Sequence, residues 1–267
     1  MDARQLDDYF ARVSYRGPRV PNVQLLHALT LAHTQHIPFE NLDVLLGRGI
    51  DLADDAVFDK LVLQRRGGYC FEHNALLMRV LSALGFAVTP LSARGRIFWP
   101  DRSFIPPRTH LLLKVELDSA AWITDVGVGA ASLTAAIRFE PELEQSTPHD
   151  QRRIIREGHK YFHQVLYGER WTDVYELTGE EMPVIDRVLA NWYTSAHPAS
   201  HFKDRMMVAR AEENGRRCSI VDGVFKQRER DGRATEQVIE TPELLLETLA
   251  DKFGIELPAG TRFPWPK

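Results

Sequence analysis

The sequence predicts an α+β protein of several packed units, with helices first and strands after them. Apolar residues recur at helical spacing up to about residue 88, and short β-favouring runs then extend to about residue 175. Met182 to Tyr193 favours a connecting helix, which precedes a hairpin around Gly223 and a last helix. With 267 residues, 44% hydrophobic and 26% charged, the chain can form two or three such units.

Four segments predict the helices of the first part, because their apolar residues repeat every three or four positions. The last of them follows Gly67 and Gly68 directly and starts beside Cys70. A helix N-terminus presents unpaired amides and a positive dipole end, both of which stabilise a thiolate. The four segments are Leu6 to Val13, Val23 to His36, Phe58 to Leu63 and Phe71 to Leu84.

Cys70 is therefore a candidate nucleophile, and a buried structural cysteine is the alternative. The two glycines favour the first interpretation, because a glycine pair lets a ligand approach the backbone closely. A nucleophilic cysteine also needs a base, and the base needs a group that orients its ring.

The central β-like runs supply both groups. Thr109 to Leu117 and Ala121 to Val126 flank Asp118 and Ser119, which predicts an antiparallel hairpin with a two-residue loop; Phe162 to Leu166 is a further strand.

The register of this hairpin brings a histidine and a carboxylate together. A two-residue loop sets His110 opposite Gly127, with Asp125 two residues away on the same face and within side-chain reach. A loop longer or shorter by one residue would put the two on opposite faces. The sequence thus predicts a Cys70, His110 and Asp125 triad, conditional on the turn.

Other histidines compete for a role. His73 lies inside the helix of the candidate nucleophile without an orienting carboxylate, so it is interpreted as structural. His197 and His201 are spaced like metal ligands, but Pro198 between them favours a loop. The two cysteines are too far apart in sequence for a zinc motif, and Cys218 is interpreted as structural. No metal is expected.

The last part is predicted from turn and cap residues. Asp222 and Gly223 mark a tight hairpin, and a helix runs from Pro242 to Phe253, where Gly254 ends it.

Composition and charge limit the class of protein. The net charge of −4 predicts no general nucleic-acid binding, and the amphipathic N-terminus and the lack of a long apolar run predict no membrane partner. The cysteine content fits a reducing, cytoplasmic location; the oligomeric state is left open. The arginine clusters are interleaved with acidic residues and predicted to be solvated: Arg152, Arg153 and Arg156; Arg216 and Arg217; Arg228 and Arg230.

Four motifs in order resemble the arylamine N-acetyltransferase family, from near the N-terminus to about residue 130, with weaker similarity beyond. They are IPFENLDVLLG (Ile37 to Gly47), RRGGYCFEHN (Arg65 to Asn74), THLLL (Thr109 to Leu113) and DVGVG (Asp125 to Gly129).

The resemblance implies a papain-like triad in which Cys70 accepts an acetyl group from acetyl-CoA, His110 is the base and Asp125 orients it. The acetyl group would then pass to an arylamine or hydrazine, or to the oxygen of an N-hydroxyarylamine, in a ping-pong scheme. It also implies a helical domain (1–88), a β-barrel (89–181), a connecting helix and loop (182–203) and an α/β lid (204–267).

Further residues match the family in supporting roles. Glu40 and Arg66 resemble a charged pair that braces the active-site loop, although each could equally be solvated. Gly127 and Gly129 resemble a glycine turn beside the coenzyme, while ordinary turn glycines are the alternative.

The substrate pocket is predicted from three residues. Val128 stands where the family often has phenylalanine, so the resemblance implies a roomier pocket with altered aryl selectivity. Phe39 and Tyr69 are the other candidates for this pocket.

Two other reactions remain open for the same triad. One is an amide synthase that closes a macrolactam on a carrier-bound acyl chain. The other is proteolysis or transglutamination, which would need no coenzyme. A ligand-binding scaffold without activity is a third alternative.

Overall fold

The protein is described by a computed structural model that covers residues 1–264 and places most helices before the strands. Side chains of Asp2, Asn22 and Thr241 cap three helices by accepting a bond from the amide three residues on. The helices are α1 (Ala3–Arg12), α2 (Val23–His36), α3 (Leu42–Leu45), α4 (Asp54–Phe58, continued by a π-turn over Asp59–Leu63), α5 (Cys70–Ala83), α6 (Val184–Ala196) and α7 (Pro242–Phe253).

Eight strands form a nearly closed antiparallel barrel in the order β5-β4-β3-β2-β9-β8-β7-β6. Its two edges meet through Gln145, whose side-chain amide bonds both the N–H and the carbonyl of Arg138, at 2.6 and 3.1 Å. The strands are β2 (Ala87–Gly95), β3 (His110–Leu117), β4 (Ala120–Thr124), β5 (Ile137–Arg138), β6 (Gln145–Ser146), β7 (Gln151–Glu157), β8 (Lys160–Tyr167) and β9 (Arg170–Glu181).

The predicted β3–β4 hairpin is confirmed with its register. Leu113 lies opposite Thr124, so the loop holds only Asp118 and Ser119. Both loop residues adopt the left-handed conformation, with φ of 51° and 62°, as a tight hairpin turn requires.

A second sheet of five strands joins one strand of the N-terminal part to four strands of the C-terminal part, in the order β1-β10-β11-β12-β13. The Asp222-Gly223 hairpin and the end of α7 at Gly254 are confirmed. The strands are β1 (Phe39–Glu40), β10 (Met207–Ala211), β11 (Arg217–Val221), β12 (Val224–Arg228) and β13 (Ala234–Val238).

The apolar core falls into clusters that follow these units. One lies among the N-terminal helices, one inside the barrel, and one between the second sheet and α7. Because β1 pairs with β10, the second sheet reaches the loop that precedes α5. The domain boundaries at 88, 181 and 203 stay a prediction, and residues 265–267 of the proposed lid lie outside the described residues.

The prediction that the arginine clusters are solvated is wrong for two of their members. Arg152 and Arg217 are buried, and both donate to Asp150, at distances of 2.6 to 2.9 Å. Arg217 also donates to the carbonyl of Ser132, which joins β11 to the barrel. The Asp150 carboxylate makes this burial tolerable, because it contacts both arginines, although only Arg152 is near it in sequence.

Two searches concern the described residues 1–264 alone. In this range no helix is both long and apolar enough to cross a membrane. The same range contains no group of three or more His, Cys, Asp or Glu side chains arranged to hold a metal ion.

Replacement of Asp150 by Asn should destabilise the fold by roughly 3–5 kcal/mol, because it leaves two buried guanidinium groups without a counter-charge. Burial alone would raise the pKa of Asp150, but Arg152 and Arg217 outweigh it and hold that pKa well below its usual range. The stabilisation should therefore be present above the usual aspartate pKa and be lost only as the pH falls through the lower folded value.

Chemical denaturation at neutral pH measures this difference. Asp231→Asn is the matched control, since Asp231 forms an exposed pair with Arg233. Equal unfolding free energies for the two variants would contradict the assignment.

Candidate active site

The candidate nucleophile occupies the first residue of α5, as predicted. Cys70 is only 4% exposed, and its Sγ lies 3.7 Å from the carbonyl oxygen of Thr109, the residue before β3. The Glu72 side chain accepts from the Tyr69 amide at 3.0 Å and so caps the helix. The sulfur therefore sits at the positive end of a well-capped helix.

The two glycines before the helix have a different role from the one predicted. Both are buried; a Cβ on Gly67 would lie 1.9 Å from the Pro38 carbonyl oxygen, and one on Gly68 would lie 2.5 Å from the Glu72 carboxylate. The glycines thus allow the loop to pack on its own protein, not on a ligand.

The hairpin carries the base and its orienting carboxylate. His110 Nε2 lies 2.6 Å from Asp125 Oδ2, and both side chains are buried. Because Nε2 faces Asp125, Nδ1 is the ring nitrogen left for the Cys70 sulfur, which lies near the imidazole. Burial alone would lower the pKa of His110, but Asp125, together with Cys70, raises it to about 10.

Asn74, one helical turn after the nucleophile, ties α5 to this hairpin. Its side-chain amide donates to Asp125 Oδ1 at 2.9 Å and to the Leu111 carbonyl at 2.6 Å, while its oxygen accepts from the Val126 amide at 3.2 Å. The sequence reasoning did not assign it a role. Its i, i+4 spacing from Cys70, on one helix face, was the available signal.

A cavity of about 230 Å³ opens above the triad. Phe39 and Val128 line it, together with Trp99, Tyr175 and Phe202, and their contact with substrate stays a prediction. The walls are mostly apolar and aromatic, which suits a small ring-bearing ligand.

Tyr69 does not line this cavity, contrary to the prediction. Its ring packs edge-on against Phe71 and Phe202, and its hydroxyl donates to Asn191 of α6. With 1% of its surface exposed, it joins the nucleophile loop to the connecting helix.

The predicted glycine turn, Gly127 and Gly129, lies at the cavity, and close packing requires glycine at position 127. A Cβ on Gly127 would lie 2.5 Å from the Cys70 Cα, so a side chain there would displace the nucleophile. Gly129 has a φ of 62° and rests against the Phe39 ring. Both glycines line the cavity, and a contact with coenzyme stays a prediction.

Glu40 and Arg66 form a buried ion pair and are not solvated. Arg66 Nε and Nη2 donate to Glu40 Oε1 at 3.0 and 2.6 Å, and Glu40 Oε2 accepts from the Leu42 amide. Asp43 and Lys60 extend the pair to Glu72, the residue that caps α5. The network braces the loop before the nucleophile.

Among the other histidines of residues 1–264, His201 alone lines the cavity. His73 is fully buried, with one ring nitrogen 2.9 Å from His33 and the other 3.1 Å from the Pro38 carbonyl. His197 stacks on Tyr193. Cys218 is buried in the second sheet, where desolvation and then Glu212 raise its pKa to about 12.

Comparison with known proteins identifies the family. A profile of the N-acetyltransferase family matches residues 22–262. The arylamine N-acetyltransferase of Escherichia coli is 39% identical over 252 residues, covering 94% of this chain and 88% of that protein. The chain belongs to the arylamine N-acetyltransferase family.

Solved structures of other members agree with this assignment. The Salmonella typhimurium arylamine N-acetyltransferase superposes with a TM-score of 0.90 at 35% identity, covering 98% of this chain and 95% of that one. The Mycobacterium marinum arylamine N-acetyltransferase, solved in complex with CoA, gives 0.89 at 34% identity and covers 94% and 92%. The arylamine N-acetyltransferase fold inferred from the motifs is therefore confirmed.

Asn74→Ala should lower both stability and reactivity in this family member. The change removes one donor from Asp125 and leaves the buried Val126 amide without its acceptor, at a cost of roughly 1–3 kcal/mol. Thermal unfolding and the alkylation rate of Cys70 measure the two effects. Ser82→Ala, on the exposed side of the same helix, is the control. An Asn74→Ala protein that matched this control in both measurements would contradict the bridging role.

Proposed function

We propose that this protein transfers the acetyl group of acetyl-CoA to arylamines and hydrazines, and to the oxygen of N-hydroxyarylamines, through a thioester on Cys70. One observation carries the proposal: the His110–Asp125 pair at 2.6 Å beside a cysteine that begins a helix. Its family membership supports the same activity.

In the first half-reaction the proton of Cys70 lies on His110 as an imidazolium that Asp125 stabilises, so that the sulfur reacts as a thiolate. The thiolate attacks the acetyl carbonyl of the donor, so that a new sulfur–carbon bond forms at Cys70. When the donor's own carbon–sulfur bond breaks, His110 returns the proton to the leaving CoA thiolate.

In the second half-reaction the amine nitrogen attacks the acetyl carbonyl held on Cys70. His110 takes a proton from the attacking nitrogen and keeps it, the thioester bond breaks to release the Cys70 thiolate, and the imidazolium–thiolate pair of the starting state is restored. The backbone N–H of Cys70, at the helix start, is proposed as a donor to the oxyanion of both tetrahedral intermediates.

The cavity supports a small acceptor. A space of about 230 Å³ with aromatic walls holds a single-ring amine or hydrazine. Val128 in place of an aromatic residue leaves space beside the acceptor ring, so altered aryl selectivity stays a prediction.

A cleft next to this cavity, lined by both basic and acidic side chains, supports the binding of the donor's phosphates. It has a volume of about 650 Å³ and shares Ala130, Tyr167 and Ser219 with the cavity. Arg217 lies at its floor with a buried Nε that has no partner among the described residues. Three basic side chains at the cleft are available to anions, namely Lys226, Arg228 and Arg230, and three acidic residues, Asp150, Glu229 and Asp231, line it as well.

The partners proposed are therefore small molecules: acetyl-CoA as co-substrate and an amine acceptor. A cytoplasmic location is proposed with them and is supported by two free cysteines.

Intact-protein mass spectrometry tests the mechanism. Brief exposure to acetyl-CoA should add about 42 Da, one acetyl group replacing a hydrogen, and an arylamine should then remove it. Cys70→Ala should show no gain, and Cys218→Ala should behave like the wild type because its thiol is buried away from the site. Acetylation that persisted in Cys70→Ala would overturn the mechanism, and peptide cleavage without coenzyme would favour proteolysis.

Arg228→Ala should weaken use of acetyl-CoA while sparing the acceptor step, because it removes one charge from the cleft but none from the cavity. We expect KM for acetyl-CoA to rise about three- to tenfold, with stronger dependence on salt in the wild type. Arg233→Ala is the control, since Arg233 is exposed and does not line the cleft. Equal KM values in the two variants would remove Arg228 from the donor site.

A further inference from the structure

Three buried side chains of the N-terminal helices form a chain of hydrogen bonds that ends beneath the nucleophile loop. The Tyr9 hydroxyl of α1 lies 3.0 Å from Nδ1 of His33 in α2, and Nε2 of His33 lies 2.9 Å from Nδ1 of His73 in α5. The other nitrogen of His73, Nε2, lies 3.1 Å from the Pro38 carbonyl oxygen. All three side chains are fully buried, and the proposed mechanism uses none of them.

The carbonyl at the end of the chain fixes the direction of every hydrogen bond in it. A carbonyl oxygen can only accept, so His73 carries a proton on Nε2. While His73 is neutral its Nδ1 must accept, which places the proton of His33 on Nε2 as well. Nδ1 of His33 then accepts from the Tyr9 hydroxyl. The geometry therefore requires two neutral imidazoles, both in the Nε2–H form.

The surroundings of the chain keep the two imidazoles neutral. A second proton on His73 would set its Nδ1–H against the N–H of His33. Desolvation is the largest effect on the pKa of His73, which falls to about 4 despite the hydrogen bond to Pro38. The cations Lys60, in the π-turn after α4, and Arg12, in α1, also lower this pKa. Desolvation likewise lowers the pKa of His33 well below its usual value.

The Pro38 carbonyl belongs to the segment that carries one wall of the cavity above the triad. The next residue, Phe39, lines that cavity, and its ring is nearly parallel to the His73 imidazole, with planes 15° and centroids 6.3 Å apart. The Phe39 ring also meets Phe202 edge-on and rests against Gly129. A shift of the Pro38 peptide would therefore move an aromatic wall of the cavity.

We propose that His73 is a positioning residue for the acceptor, because its Nε2–H holds the Pro38 carbonyl and so sets the place of the Phe39 ring. His33 keeps the proton of His73 on Nε2 by donating to Nδ1. The proposal rests on the proposed function, since it takes the cavity as the site of the amine acceptor. A proton on the wrong nitrogen would leave the buried carbonyl without its donor, and a buried acceptor that lacks a donor is costly.

Nitrogen-15 NMR of the imidazole rings tests the direction of the chain. In the wild type at neutral pH, His33 and His73 should both be neutral and carry the proton on Nε2. A protonated His73, or one with its single proton on Nδ1, would overturn the proposal.

Replacement of His73 tests its effect on the acceptor. His73→Phe keeps a buried ring but removes the donor to Pro38, and should raise the Kd of aniline for the resting enzyme, and its KM, about three- to tenfold. The rate at which acetyl-CoA acetylates Cys70 should change less than twofold, because His73 does not contact the proposed triad. His73→Gln restores an amide N–H at similar reach and should recover most of the aniline affinity.

A control and a second pair of variants separate positioning from general stability. His27→Phe, on α2 and packed edge-on against Trp122, should leave the Kd, the KM and the acetylation rate unchanged. If His73→Phe fails to fold, His73→Asn replaces it. Asparagine carries the same amide as glutamine but is too short to reach the carbonyl, so it should weaken aniline binding as far as phenylalanine would.

Three binding or rate results would also overturn the proposal. The first is wild-type aniline affinity in a folded His73→Phe protein, and the second is equal affinity in His73→Asn and His73→Gln. The third is an equal loss of aniline binding and of Cys70 acetylation, which would make His73 a residue of general stability. The NMR and Kd measurements use no acetyl-CoA, so a protein that failed to acetylate Cys70 would defeat the proposed function and leave them intact.

Discussion

The site depends on the contact between the start of α5 and the β3–β4 hairpin, because the nucleophile and its proposed base belong to different units. An imidazole must lie about 3 Å from a sulfur to exchange a proton with it, and a shift of 1 Å is costly. Gly127 lets the hairpin approach the Cys70 Cα as closely as backbone allows. Asn74 then fixes the lateral position by bonding both backbone and side chain of the barrel.

Buried charges hold the two sides of this contact rigid. On the helical side, Arg66 and Lys60 bind three carboxylates, one of which caps α5. On the barrel side, Arg96 is fully buried against Glu176, the neighbour of Tyr175 on β9. Burying the charges of each network costs desolvation free energy, and removing one partner would destabilise the protein further. Each network therefore admits few alternative arrangements. The two networks serve the site by fixing its geometry more than by adding net stability.

Local rules predicted what local geometry determines. A two-residue loop sets the parity of a hairpin, so the shared face of His110 and Asp125 followed from the sequence alone. The two ends of α7 could be predicted for the same reason, because its terminal residues Pro242 and Gly254 act locally. Burial of Arg152 and Arg217 could not be predicted in this way, because their shared carboxylate meets Arg217 only after β11 folds onto the barrel. Tyr69 likewise looks like a pocket residue until α6 supplies Asn191.

The charge and the geometry of the His110–Asp125 pair depend on the same hydrogen bonds. Burial opposes a protonated His110, which would not persist in an apolar barrel without compensation. The Asp125 carboxylate accepts three hydrogen bonds, from Asn74, from the Gly127 amide and from His110. Those donors belong to the helix, the glycine turn and the base. A movement of α5 away from the hairpin would therefore take Asn74 away from the Asp125 carboxylate. The same movement would take the Cys70 sulfur away from the His110 imidazole. The His110–Asp125 pair is thus best stabilised when the nucleophile is in place.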